Sequence, residues 1–208
     1  SAPPAAAAPA PTLASASPLP EPLPPVVARV NGRPIPLGYT RIVADEELKG
    51  RNPTPAEKAM VYRRAVDTLV VRELMLQEAQ RRGVTADPGK VQRMYDAVRS
   101  EHPSEDAWKE FLAEKGLDPK AFKDELVVRH TVEALIQKVT GEVQSVPEAE
   151  VRAYFEANRA NFGVAGKAPT FEQARGQAQR QMLVFKRQEA LNALLTRLRG
   201  EAKVEVLI

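Results

Sequence analysis

The sequence predicts a mainly α-helical fold of about seven helices, with a small β element formed by an N-terminal hairpin and a C-terminal strand. Three observations predict it. Seven segments read as helices from their apolar periodicity and from N-cap, Gly and Pro signals at their ends. Aromatic residues make up only 5% of the chain, few for a β-sandwich. The strand-like runs lie at opposite ends of the sequence, and a lone strand is not stable, so the two ends are expected to meet.

Composition bounds the chemistry. The 208 residues include no cysteine and two histidines, His102 and His130. Disulfide frameworks, zinc ribbons and thiol catalysis are thereby excluded, and little remains for a His-based metal site or a Ser–His–Asp triad. The 30 basic and 27 acidic residues are interleaved and leave a net charge of +3, with no Lys/Arg block of the kind that marks a nucleic-acid surface. No apolar run approaches the length of a membrane span.

Of the 18 prolines, nine lie in residues 1–25, where eight of the other sixteen residues are alanine and Glu21 is the only charge. So few large apolar groups cannot offset the entropy of ordering, and 1–25 reads as a disordered Pro/Ala-rich tether ahead of one folded domain at 26–208. A chain that opens on Ser with such a spacer fits an exported protein, extracytoplasmic or periplasmic, held off a membrane by an N-terminal anchor.

The elements follow in order. Val26–Val30 is a β-branched run, Asn31-Gly32 is a strong hairpin signal, and 33–37 is the return strand. Pro34 and Pro36 lack donors at alternate positions and confine that strand to an edge. Residues 38–49 form a first helix ended by Gly50. Thr54, Pro55 and Glu57 cap a long second helix that runs to about Arg82 and stops at Gly83. Its Tyr62, Val66, Leu69, Val70 and Leu74 share one face, while Met60, Val71 and Met75 form a second stripe.

A third helix spans 88–101. A fourth starts after Ser104 and ends near Gly116. A fifth runs from Pro119 towards Thr140 with Phe122, Leu126, Val127, Val132 and Ile136 as its apolar face. A sixth begins at Val146-Pro147, carries Val151, Tyr154 and Phe155, and fades at 158–162. The Thr170/Gln173 capping box opens a seventh, with Ala174, Ala178, Met182, Phe185, Leu191, Leu194, Leu195 and Leu198 as its buried residues and Gly200 at its end. In 202–208, Val204, Val206 and Ile208 alternate with Lys203, Glu205 and Leu207 and predict a strand with one buried face.

The wording of several segments resembles one family. Val27-Ala-Arg-Val-Asn-Gly-Arg-Pro-Ile35 looks like an opening hairpin. Leu69-Val-Val-Arg-Glu-Leu-Met-Leu-Gln-Glu-Ala-Gln-Arg-Arg-Gly-Val84 looks like a central helix and its exit. Val146-Pro-Glu-Ala-Glu-Val-Arg-Ala-Tyr-Phe-Glu-Ala-Asn158 looks like a lead-in to a parvulin domain, and 171–208 like a closing helix and strand. Together they resemble the N-terminal chaperone module of SurA-like and PrsA-like peptidyl-prolyl isomerases, with a weaker likeness to the C-terminal domain of trigger factor. The resemblance departs at one point: the parvulin insertion is absent between 162 and 170, where only seven residues intervene. It therefore implies the chaperone half of such proteins without the isomerase half. The expected activity is ATP-independent holding of unfolded or nascent exported polypeptides, with no cofactor, no metal and no catalytic residue. The alternatives are a prolyl isomerase with residual activity and a scaffold with one fixed protein partner. Swapping of the terminal elements would give a homodimer.

The candidate peptide-binding residues are Met60, Val71 and Met75 of the second stripe, with Met94, Trp108, Phe111 and Leu112. Thioethers and aromatics adapt to varied apolar clients, and Trp108, on a short helix, is expected to be partly exposed. The competing reading of the stripe is ordinary core packing.

Overall fold

Asn31 and Gly32 turn the chain with φ of 52° and 82°, the left-handed pair that a two-residue hairpin requires. They join β1 (Val26–Val30) to β2 (Arg33–Pro36). The C-terminal strand β3 (Val204–Val206) pairs antiparallel with the other side of β1, so the order is β2-β1-β3 and β2 is an edge. A bulge between Val26 and Ala28 lets both Val27 and Ala28 be buried.

The computed structural model describes residues 17–163 and 169–208. Residues 1–16 of the expected tether and most of the loop between the sixth and seventh helices lie outside the described residues. Among those described are seven helices: α1 (Leu37–Leu48), α2 (Pro55–Arg81), α3 (Pro88–Ser100), α4 (Glu105–Glu114), α5 (Pro119–Glu142), α6 (Glu148–Ala157) and α7 (Phe171–Glu201). The mainly α fold with a small sheet is as the sequence predicts. No described helix is long and apolar enough to cross a membrane.

The helix ends follow their local chemistry. The Thr54 N–H donates to Glu57 Oε2 at 2.7 Å and the Glu57 N–H to Thr54 Oγ1 at 3.3 Å, a complete capping box. The Thr170 N–H donates to Gln173 Oε1 at 2.9 Å and the Gln173 N–H to Thr170 Oγ1 at 3.4 Å. Gly83, at φ 63°, closes α2: its N–H donates to the Gln80 carbonyl and the Val84 N–H to that of Ala79.

The chain divides into two compact units where the sequence reads as one domain. The first comprises residues 17–74, 98–122 and 202–208. It holds the sheet, α1, α4 and most of α2. Within it, Tyr62 donates to Asp45 Oδ1 at 3.0 Å, Arg64 pairs with Glu47, and the Arg72 guanidinium lies 5.5 Å over the Tyr39 ring, fixing α1 on α2. Residues 17–25 are also engaged, as Arg63 donates to the carbonyls of Ser17 at 2.6 Å and Pro18 at 3.5 Å.

The second unit comprises 75–97 and 123–201. Its core is a cluster of Val146, Val151, Phe155, Phe162, Phe171, Ala174, Ala178 and Met182, in which α6 packs on α7. Phe155 sits at its centre, 5.4 Å from the Phe162 ring and 5.7 Å from that of Phe171.

Several expected burials differ. Phe185 of α7 is 54% exposed and its neighbour Val184 is 67% exposed. Val127 of α5 is also exposed, although Phe122 and Leu126 on its expected face are buried. Val204 and Val206 do lie on the apolar face of the sheet, opposite the fully buried Val30 and Ala28. They remain exposed because β3 is an edge with no strand beyond it among the described residues. Gly200 lies within the last turn of α7 and does not end it.

Candidate functional site

An open groove of about 1080 Å³ lies in the first unit, between α1 and the turn that follows α4. One wall is α1. Its inward face is Leu37, Thr40 and Ala44, at helical spacing of three and four. That leaves Tyr39, Ile42 and Val43 on the far side and flank, where Ile42 and Val43 are exposed. The other wall is Ala113, Gly116, Leu117 and Ala121. Gly116 shapes it: at φ 64° it ends α4, its N–H donating to the Ala113 carbonyl at 2.9 Å and the Leu117 N–H to that of Leu112 at 2.9 Å. This turn presents Leu117 to the groove. Arg41, Asp45, Glu46, Lys49, Glu114 and Lys115 also line the groove, three charges of each sign beside its apolar residues. Burial and the neighbouring Asp45 raise the Tyr62 phenol above its ordinary range, which keeps it a neutral donor to that carboxylate.

The residues proposed from sequence do not form one exposed surface. Trp108 is 2% exposed, against the expectation of partial exposure. Its ring lies 5.5 Å from both Phe111 and Phe122, with the Arg99 guanidinium 5.5 Å over it. His102 stacks on Phe111 at 4.4 Å and closes the same cluster. Leu112 and Met75 are buried as well, Met60, Val71 and Phe111 are half-buried, and only Met94 is exposed. Three of the seven thus have no surface to offer a client. The groove residues Tyr39, Ile42, Val43 and Leu117 were not singled out. Their signal was present: Ile42 and Val43 fall off the face set by Leu37, Thr40 and Ala44, among Arg41, Asp45 and Glu46.

The buried titratable groups described in the second unit are Glu78 and His130. Glu78 is 2% exposed and accepts from Arg81 Nε at 2.7 Å and Nη2 at 2.8 Å, from Arg82 Nε at 2.7 Å and from Arg197 Nη2 at 2.7 Å. The Arg81 hydrogen bonds, then those of Arg82 and Arg197, outweigh burial and lower its carboxyl to about 2. A carboxylate held that firmly ionised is a poor proton carrier at neutral pH, and its role is to tie α2 to α7. His130 is buried, with Nδ1 2.9 Å from Glu133 Oε2, which also accepts from Lys90 Nζ at 2.9 Å. These contacts bind α5 to α3, and the Lys90 hydrogen bond followed by that of His130 lowers the Glu133 carboxyl. No cluster able to hold a metal ion occurs among the described residues.

A mainly helical fold with a three-stranded sheet drawn from both ends of the chain is shared with a SurA-like protein of known structure. Residues 15–136 match the SurA-like N-terminal domain family, and the chain belongs to that family. A solved structure from work on PEB4 and the periplasmic protein Cj1289, two SurA-like chaperones of Campylobacter jejuni, aligns with a TM-score of 0.58. The alignment covers 88% of this chain and 99% of that one, at 11% identity, and the likeness is one of fold. No curated protein sequence matches significantly.

Proposed function

We propose that this protein is an ATP-independent holdase that binds non-native exported polypeptides in the periplasm and lacks prolyl isomerase activity. The observation that carries the reading is the groove of the first unit. It is open, and Tyr39, Ile42, Val43 and Leu117 in its lining offer apolar surface to client side chains. Its lining also carries both signs of charge, so a complex keeps solvated groups beside the apolar contact. An apolar contact of this kind is short-range and not sequence-specific, and release needs only fast dissociation.

The test is aggregation of several unrelated chemically unfolded clients. Wild-type protein suppresses it without ATP, and Ile42→Asp with Val43→Asp weakens suppression while the circular dichroism spectrum and melting temperature stay close to wild type. A single tight partner in place of broad suppression would favour a scaffold. Acceleration of a proline-limited refolding step at substoichiometric concentration would overturn the non-enzymatic reading.

A further inference from the structure

The two edges of the small sheet are built differently. Val30 and Arg33 flank the two-residue turn, so they form a hydrogen-bonded pair and Ala28 with Ile35 forms the next. Alternation then turns the nitrogens of Pro34 and Pro36 to the outer edge of β2. Neither carries an N–H, and that edge cannot complete a further ladder.

On the other side, the Asn31 N–H donates to the Lys203 carbonyl at 2.8 Å and the Leu207 N–H to the Val27 carbonyl at 2.9 Å. Lys203, Glu205 and Leu207 therefore face β1, and the peptide groups of Val204 and Val206 face outward. No strand pairs beyond β3 among the described residues. The outer edge thus presents two N–H and two C=O groups at ladder spacing. Beside them the side chains of Val204 and Val206 are 38% and 54% exposed, and Leu207 is exposed too. These valines continue the apolar face of Ala28 and Val30 to the rim of the sheet.

We propose that the open edge of β3 takes up an extended segment of a non-native polypeptide as a fourth strand, with apolar residues at every second position and neutral or basic residues between. This rests on the holdase reading and adds to it a second contact, made through the client's backbone. Charge argues against a second copy as the occupant. The antiparallel register that uses both outward residues of two β3 strands pairs Val204 with Val206 and sets Glu205 against its own counterpart, a like-charge pair that the exposed Lys203 Nζ, 2.8 Å from Glu205 within each strand, screens without removing. A client with a neutral or basic residue there meets no such repulsion. An edge of three residues makes few hydrogen bonds, which suits transient capture.

The probe is a fluorescein-labelled, acetylated and amidated Lys-Val-Thr-Val-Thr-Val-Lys peptide, followed by anisotropy and by amide hydrogen exchange of the full chain. Binding is expected to slow exchange at Val204 and Val206 at least about fivefold. Val206→Pro removes an outward donor without breaking the β1 ladder, and is expected to weaken binding by about tenfold, the scale of one backbone hydrogen bond. N-methylation of the peptide's valines and, separately, of its threonines gives a second test on wild-type protein, should the proline variant prove unstable. One alternate set is expected to abolish binding and the other to preserve it.

If both methylated peptides bind as the parent does, or Val204 and Val206 gain no protection, the edge is not the site, while aggregation suppression by the wild type still upholds the holdase. Protection of these amides that grows with protein concentration in the absence of peptide would mean a second copy sits there, and would overturn the proposal. Peptide binding with edge protection by a protein that suppresses no aggregation would support the edge and sink the holdase reading.

Discussion

Glu78 is the residue whose loss the structure predicts most directly. Its carboxylate is 2% exposed and holds four guanidinium nitrogens within 2.8 Å, from Arg81 of its own helix, Arg82 in the turn that follows it and Arg197 of α7. Its carboxyl is lowered from 4.5 to about 2. At about 1.4 kcal/mol per pH unit, that gap corresponds to about 3 kcal/mol favouring the ionised, folded form. Glu78→Gln keeps the shape and removes the charge, leaving Arg197 with Glu201 and Arg82 with Glu142. The expected loss at pH 7 is about 3 kcal/mol, in the range of breaking a buried ion pair.

The sign with pH follows from the lowered carboxyl. The stabilisation is fully present above about 4.5 and is lost as pH falls from 4.5 towards 2, where the folded form also takes up the proton. Urea unfolding by circular dichroism at pH 7, 4.5 and 3 measures this. The difference between wild type and Glu78→Gln should be constant from pH 7 to about 5 and shrink below 4.5. Comparing the two proteins cancels the contributions of Glu57, Glu133 and Glu205, whose carboxyls are also lowered. A loss under about 1 kcal/mol at pH 7, or a difference that stays flat through pH 3, would refute the reasoning.

Trp108 is the only tryptophan, so its intrinsic fluorescence should be blue-shifted and resist iodide quenching, and Trp108→Ala should cost about 3–5 kcal/mol in urea unfolding. Thr54→Ala removes the capping box at the start of α2, with an expected loss of about 1 kcal/mol in the same assay. The Thr40 hydroxyl is buried in α1 without a hydrogen-bond partner among the described residues. The near-isosteric Thr40→Val should therefore stabilise by about 1 kcal/mol, visible as a raised urea midpoint at unchanged slope.

Local chemistry was the most legible layer of the sequence. Both capping boxes, the Asn31-Gly32 turn and the glycine stops at 83 and 116 depend only on residues within five positions of one another, and each forms as read. The alternation of Pro34 and Pro36 likewise placed β2 at an edge. Side-chain exposure was less legible. Periodicity says which residues share a face, not how far a neighbouring element extends over it. Phe185 and Val127 lie on expected apolar faces and are left uncovered, while Trp108, on a short helix, is enclosed by rings from three segments. The groove was missed because 38–49 was read only as a short helix with no face assigned to it, whereas Leu37, Thr40 and Ala44 make its inward face.

The sequence by itself determined the helical class, the order of elements, the return of the C-terminus to the N-terminal hairpin and the exclusion of cysteine chemistry. Those follow from composition and from hydrogen bonds closed within a few residues. Only the tertiary structure decided which apolar side chains face water. It buried Met75, Trp108 and Leu112 of the proposed surface, left the other four at least partly exposed, and opened the groove at Ile42 and Leu117. It also showed that the edge of the sheet opposite the prolines, that of β3, has no strand beyond it among the described residues. Burial is a property of what lies across from a residue, and for these side chains the neighbours that settle it come from other segments of the chain.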